Sequence, residues 1–163
     1  DLVTRAKWDK AARNFDLMAG GGAEARWKPF KQKLFANMQG RILFLALGTG
    51  LDIPTFPPGQ DITAIDISPK MLAQAAPRIA TYDGTIRAEV MDVHEMTFAP
   101  DSFDQVFTSC TFCSVPRPVE GLASVVTSTW LWRSTDRVRA RRVASDRVRD
   151  HEMTSAGCSH EAS

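Results

Sequence analysis

Gly48-Thr49-Gly50 follows directly on an apolar run, Asp66 closes the next such run, and Asp92 closes a third. Each residue type suits one task at a small ligand. Glycines lack side chains, so the backbone can approach a ligand closely and turn sharply enough to aim a helix N-terminus at it. A carboxylate accepts two hydrogen bonds at once, so Asp66 can hold both hydroxyls of a ribose diol. It stands sixteen residues after Gly50, close to where a doubly wound fold places such an acid. An ordinary strand-to-helix turn competes as the reading of the glycine pair alone, and a helix cap competes as the reading of Asp66. Ser68, better placed to cap, weakens the second. One nucleotide-shaped ligand explains all three polar elements at the carboxyl edge of one sheet.

Other reactive types carry less. His94 lies beside Asp92, but a structural or surface histidine is the simpler reading. Asp16, in an N-terminal helical region, is a weaker candidate for a base, and no catalytic residue is assigned. Cys110-Thr111-Phe112-Cys113 is formally a C-x-x-C. It follows a buried strand and has no second ligand pair, so buried, inert thiols are expected and no metal site. A nicotinamide-binding fingerprint would want a third glycine where Ile53 stands.

The elements that must position these residues are legible from period and punctuation. Trp8, Ala12, Phe15 and Ala19 recur at helical spacing, Gly20-Gly21-Gly22 breaks the pattern, and Trp27, Phe30, Leu34 and Met38 line one face of a second helix. That face is expected to pack on a sheet; a lid over a substrate is the sharper alternative. Ile42-Leu43-Phe44-Leu45-Ala46-Leu47 reads as a strand buried on both faces of a parallel sheet. Pro54, Pro57, Pro58 and Gly59 mark a loop, and Ile62-Thr63-Ala64-Ile65 is a second strand. Ser68 and Pro69 open a helix to about Ile79. Strands around Ile86 to Met91 and Phe103 to Thr108 complete four, and their alternation with helices predicts an α/β, doubly wound sheet.

At 163 residues, with 44% hydrophobic and 24% charged residues, the chain has enough apolar surface for one real core. A net charge of +1 gives no global signal for nucleic acid. No apolar run approaches the roughly 20 residues of a membrane span. Asp1-Leu2-Val3-Thr4-Arg5 lacks the marks of a signal peptide. Three cysteines, Cys110, Cys113 and Cys158, are too few for a disulfide framework, so a cytoplasmic location is expected.

Leu45-Ala46-Leu47-Gly48-Thr49-Gly50-Leu51 and Ile65-Asp66-Ile67-Ser68-Pro69-Lys70-Met71-Leu72 resemble the first two motifs of class I methyltransferases that use S-adenosylmethionine (SAM). Met91-Asp92-Val93, with Phe98 and Asp101-Ser102-Phe103-Asp104, is similar to their adenine-binding segment and fourth strand. Phe112-Cys113-Ser114-Val115-Pro116-Arg117-Pro118 is similar to the type 11 branch of small-molecule and phospholipid N-methyltransferases, related to the ubiquinone/menaquinone enzymes. The resemblance covers about residues 41–122. It implies a Rossmann-like fold with SAM as cofactor. Gly48 and Gly50 would pass close to the methionine and ribose, with Ala46, Leu47, Thr49 and Met71 completing the wall. Asp66 would hold the ribose hydroxyls and Ile67 would pack on the adenine. Asp92 would accept from the adenine amino group with Val93 beside the ring, and Thr108 and Ser109 would face the methyl donor. The family usually has an acid at the position of Phe44 and a glycine at that of Ala46. Their loss predicts weakened SAM affinity.

After Leu122 the family continues with a helix, a Pro-Gly-Gly turn and further strands, and the sequence reads otherwise. All six lysines lie at or before Lys70, whereas seven of the fourteen arginines fall between Arg133 and Arg149. Three readings of this tail stand, in descending order: a truncating frameshift, a docked helix and a nucleic-acid-binding arm. Asp136, Asp146 and Asp150 dilute the last. The organisation expected is thus N-terminal, lid-like helices over 1–40, an incomplete Rossmann-like core of about four strands over 41–122, and an atypical Arg-rich tail over 123–163. A sheet stopping at its fourth strand leaves an open edge through which a homo-dimer could form. The function expected is methyl transfer from SAM to a small-molecule or lipid-like acceptor. The alternative is a non-catalytic module of the same fold acting through association.

Overall fold

The computed structural model describes residues 1–19 and 22–127. The arginine-rich stretch from Arg133 onward, and with it the three readings of the tail, lies outside the described residues.

The chain opens with α1 (Leu2–Ala11), a 3-10 turn (Ala12–Asn14) and α2 (Phe15–Ala19), followed by α3 (Gly22–Phe35). Then come β1 (Arg41–Leu45), a 3-10 turn (Ile53–Thr55), β2 (Asp61–Asp66), α4 (Pro69–Ala80), β3 (Thr85–Val90), β4 (Gln105–Thr108) and α5 (Pro118–Thr127). The four strands are all parallel, in the order β3-β2-β1-β4. This is the doubly wound α/β sheet the alternation predicts. Among the described residues no helix is long and apolar enough to cross a membrane.

β1 sits in the middle because both its faces are apolar. Ile42 and Phe44 point into one core with Phe35, Phe56 and Ile62, whereas Leu43 and Leu45 point into a second core with Ile65 and Phe103. The Phe35, Phe44 and Phe56 rings form a tight cluster, with centroids 4.9–5.7 Å apart. α4 begins where Ser68 caps it, its side chain accepting from the Met71 N–H at 3.1 Å, and Pro69 holds the first turn.

The loop marked by Pro54, Pro57, Pro58 and Gly59 follows the tight turn after β1 and holds only the 3-10 turn Ile53–Thr55, since the prolines remove backbone donors. One expectation needs correction. Of the four apolar residues expected on one packed face, Trp27, Phe30 and Leu34 are 50%, 65% and 39% exposed, whereas Met38, just beyond α3, is buried in the core. The helix turns its Lys31 and Phe35 face inward instead, with Phe35 wholly buried among the aromatics. In addition, α5 runs across Leu122 to Thr127, so a helix continues past Leu122, where the sequence predicts a departure from the family pattern.

Candidate functional site

Parallel strands bring their carboxyl ends to one edge, and there the register aligns Leu45 with Ile65 and Thr108, and Asp66 with Val90. A cavity of about 330 Å³ opens above that edge. The turn after β1 forms its floor, the residues after β2 and β3 form one side, and the residues after β4 form another. Trp8, Phe15 and Trp27 from the N-terminal helices stand over it.

Asp66 is the polar centre of the floor. One carboxylate oxygen accepts the Gly48 N–H and the other accepts the Ser68 N–H, each at 2.8 Å. A single side chain thereby fixes the end of β2, the turn after β1 and the start of α4. Asp66 is only 6% exposed, and burial raises its pKa above the ordinary carboxylate value, the two N–H donors opposing. A carboxylate has about four acceptor positions. Two contacts to the backbone leave capacity for a diol.

The turn itself is built on left-handed backbone. Gly48 has φ +60°, and a Cβ placed there would meet nothing within 4 Å, so the space beside it is open. Ala46 adopts φ +54° despite its side chain, and Cys110, beyond the neighbouring β4, does the same at φ +54°. Such values are costly for residues other than glycine. They turn the chain sharply at adjacent strand ends, where the cavity lies.

Of the residues singled out from the sequence, Ala46, Leu47, Gly48, Thr49, Asp66, Ile67, Met71, Asp92, Val93 and Ser109 all line the cavity. Gly50 and Thr108 do not. Gly50, at φ +79°, lets the turn press on α4: a Cβ there would stand 2.9 Å from Ile53 and 3.3 Å from Ala75. Thr108 is held within β4, and its hydroxyl is buried with no partner among the described residues.

His94 is a bracket. Its Nδ1 lies 2.7 Å from Asp92 and its Nε2 3.0 Å from the Arg117 carbonyl, joining the end of β3 to the start of α5. Asp92 also accepts the His94 backbone N–H at 3.0 Å. Asp16 is likewise engaged, accepting the Thr49 hydroxyl at 2.5 Å and Arg78 Nη2 at 2.7 Å. Asp9 accepts the Ser68 hydroxyl at 2.5 Å, a contact that lowers its pKa.

The two thiols are exposed, contrary to expectation. The left-handed turn at Cys110 brings the chain out of the sheet, and Cys110 lines the cavity while Cys113 Sγ donates to the Cys110 carbonyl at 3.2 Å. Among the described residues no cluster of His, Cys, Asp and Glu could hold a metal. Phe44, where an acid was missed, is fully buried in the aromatic core and faces away from the cavity wall.

Sequence reasoning passed over the Lys31–Asp52 pair, 2.6 Å apart on the cavity wall, and the aromatic roof of Trp8, Phe15 and Trp27. A signal for the first existed in Asp52, two residues beyond the second glycine.

A family model described as a methyltransferase domain matches residues 42–128. The chain is 32% identical over 81 residues to a phosphatidylethanolamine N-methyltransferase of Cereibacter sphaeroides, covering 48% of this chain and 40% of the relative. It is 35% identical over 109 residues to the ubiquinone/menaquinone biosynthesis C-methyltransferase UbiE of Geotalea daltonii, covering 61% and 46%. The chain thus spans less than half the length of these curated relatives. Among solved structures, the magnesium protoporphyrin IX methyltransferase of Synechocystis PCC 6803, with bound SAM, has a similar fold. It superposes with a TM-score of 0.64 at 16% identity, over 79% of this chain and 71% of that one.

Proposed function

The chain belongs to the methyltransferase domain family, and we propose that it binds SAM in the cavity at the carboxyl edge and passes the methyl group to a small-molecule or lipid-like acceptor. The observation that carries this reading is Asp66. It is a buried carboxylate on the cavity floor, tied to the backbone of both flanking turns, with acceptor capacity for two hydroxyls. The open space beside Gly48 fits the same ligand.

In this reading Asp66 accepts from the ribose diol, Ile67 and Val93 flank the adenine, and Asp92 accepts from its amino group. Ala46, Leu47, Gly48, Thr49 and Met71 shape the floor, and Ser109 stands at the methyl-donor end. Bound SAM supplies a methyl group already activated on a sulfonium centre. The protein's work is then alignment and exclusion of water, for which Trp8, Phe15 and Trp27 overhang the cavity. A base is required only for an acceptor that arrives protonated. His94 and Asp16 have their polar atoms engaged in holding elements together, so neither is assigned that role. The names of the two curated relatives, one for phosphatidylethanolamine and one for ubiquinone/menaquinone, support an acceptor with lipid character.

Thermal unfolding with and without SAM, S-adenosylhomocysteine and NAD tests the cofactor. At about 100 times the dissociation constant, linkage gives roughly 2.7 kcal/mol of stabilisation, a rise of several degrees. A rise with the first two ligands and not with NAD is expected. A cooperative transition that none of them moves would overturn the reading.

A further inference from the structure

The turn after β4 presents two thiols for which methyl transfer has no use. Short-range bonds close this turn: the Thr111 hydroxyl donates to the Ser109 carbonyl at 3.1 Å, and the Ser114 N–H donates to the Thr111 carbonyl at 3.0 Å. The two residues between the cysteines face inward, Thr111 being buried and Phe112 packed against the second core. Cys110 and Cys113, on either side of them, are both exposed. Cys113 Sγ reaches back to the Cys110 carbonyl at 3.2 Å, so its sulfur lies against the main chain of the other cysteine. Cys110 holds φ +54°, a costly conformation for a residue with a Cβ, and its exposed side chain gains little packing in return. The same segment forms one wall of the cavity, through Ser109, Cys110, Thr111, Ser114, Val115 and Pro116.

We propose that Cys110 and Cys113 are a site of oxidative modification, at which a hydroperoxide joins them in a disulfide that reshapes this wall. Cys110 stands at the open cavity, where a small oxidant reaches it. Its thiolate attacks the peroxide: an S–O bond forms, the O–O bond breaks, and the leaving oxygen departs as water. Cys113 then attacks the sulfenic sulfur. The S–S bond forms, the S–O bond breaks, and a second water leaves with the proton that Cys113 gives up. The two sulfurs lose two electrons in all, and the peroxide gains them. With only two residues between them, the resolving thiol is always at hand. The disulfide takes the Cys113 S–H from the Cys110 carbonyl and ties together two points of the chain that forms the wall.

The test uses the full chain carrying Cys158→Ser, which leaves these two of its three cysteines. After treatment with stoichiometric hydrogen peroxide, peptide mass spectrometry is expected to find Cys110 joined to Cys113, with dithiothreitol restoring both thiols. Cys113→Ser is expected to accumulate a sulfenic acid at Cys110, captured by dimedone. Amide exchange across residues 109–116 should differ between the reduced and oxidised forms, and S-adenosylhomocysteine should bind the oxidised form several-fold more weakly. Thiols that both remain open to alkylation, or that pass to sulfinic acids without joining, would overturn the proposal. A disulfide that alters neither exchange nor binding would overturn it too, since the wall would then be indifferent to the cross-link. Reduced protein that binds no S-adenosylhomocysteine would sink the SAM reading instead, and the peptide masses and the exchange would still decide the fate of the thiol pair.

Discussion

Thr49, between the two glycines of the turn after β1, donates its hydroxyl to Asp16 of α2 at 2.5 Å. Arg78 of α4 closes the triangle, reaching Asp16 at 2.7 Å and the Thr49 carbonyl at 2.9 Å. The N-terminal helices are thus latched to the turn that forms the cavity floor. Asp16 and Arg78 are 39% and 32% exposed, so solvent screens their attraction and the latch contributes only about 1 kcal/mol to folding. Its larger effect falls on order at the cavity. Asp16→Ala is expected to lower the unfolding midpoint by a few degrees, speed amide exchange in α1, and weaken S-adenosylhomocysteine several-fold. Unaltered exchange in α1 would show that other contacts hold these helices.

In the proposed site, Asp66 is expected to make ligand affinity depend on pH. Burial raises its pKa above 3.8, so the ligand-free protein holds this proton to a higher pH than the unfolded chain does. Its contribution to stability therefore declines as pH rises from 3.8 to the raised value. A diol donates to the carboxylate, so binding favours the ionised form and releases a proton. S-adenosylhomocysteine affinity is expected to tighten as pH rises through that window and level off above it. Asp66→Asn should bind weakly and without this dependence. A wild-type affinity constant across the window would remove Asp66 from the site.

Ala46 occupies a glycine's conformation at φ +54°. The left-handed region costs a residue with a Cβ about 1–2 kcal/mol, part of which glycine loses again through the freedom of its unfolded chain. Ala46→Gly is expected to stabilise the protein by about 0.5–1 kcal/mol, raising the midpoint by a few degrees in thermal unfolding. Ala46 also lines the cavity, so S-adenosylhomocysteine binding should tighten or hold steady. A lowered midpoint would mean that the methyl group packs well enough to offset the strain.

The parts of this protein that could be read in advance are those where one residue type has one use. A short apolar run that ends at a glycine turn is too brief for a buried helix and reads as a strand buried on both sides, and β1 is one, with Ile42 and Phe44 in one core and Leu43 and Leu45 in the other. A serine followed by proline after a strand opens a helix, and Ser68 does. Glycine and aspartate at strand ends mark the edge at which the cavity opens, which Gly48, Asp66 and Asp92 line. Lys31 escaped because a lysine on an amphipathic helix reads as solvated, whereas its side chain is mostly covered and its charge finds Asp52. Trp27 and Phe30 misled for the converse reason: their spacing implied a packed face, but helical spacing does not say which neighbour will cover it. The exposed thiols depend on the backbone turn at Cys110, which no periodicity encodes.

Phe44 turns this difference into a measurement. Sequence resemblance alone suggests that Phe44→Glu would restore an acid to the site and tighten SAM. The structure predicts the reverse. Phe44 is 0% exposed, its ring 5.7 Å from that of Phe35 and 4.9 Å from that of Phe56, with both faces of β1 already committed. A glutamate there loses the aromatic packing and buries a carboxylate among apolar groups, a cost of about 3–5 kcal/mol from the packing alone. Against a typical total of about 5–15 kcal/mol, that leaves a marginal or unfolded chain. Phe44→Leu, which keeps an apolar side chain, should remain folded and bind S-adenosylhomocysteine as the wild type does. Denaturant unfolding of the two variants separates packing from ligand contact. A Phe44→Glu protein with wild-type stability and tighter binding would mean that residue 44 faces the ligand.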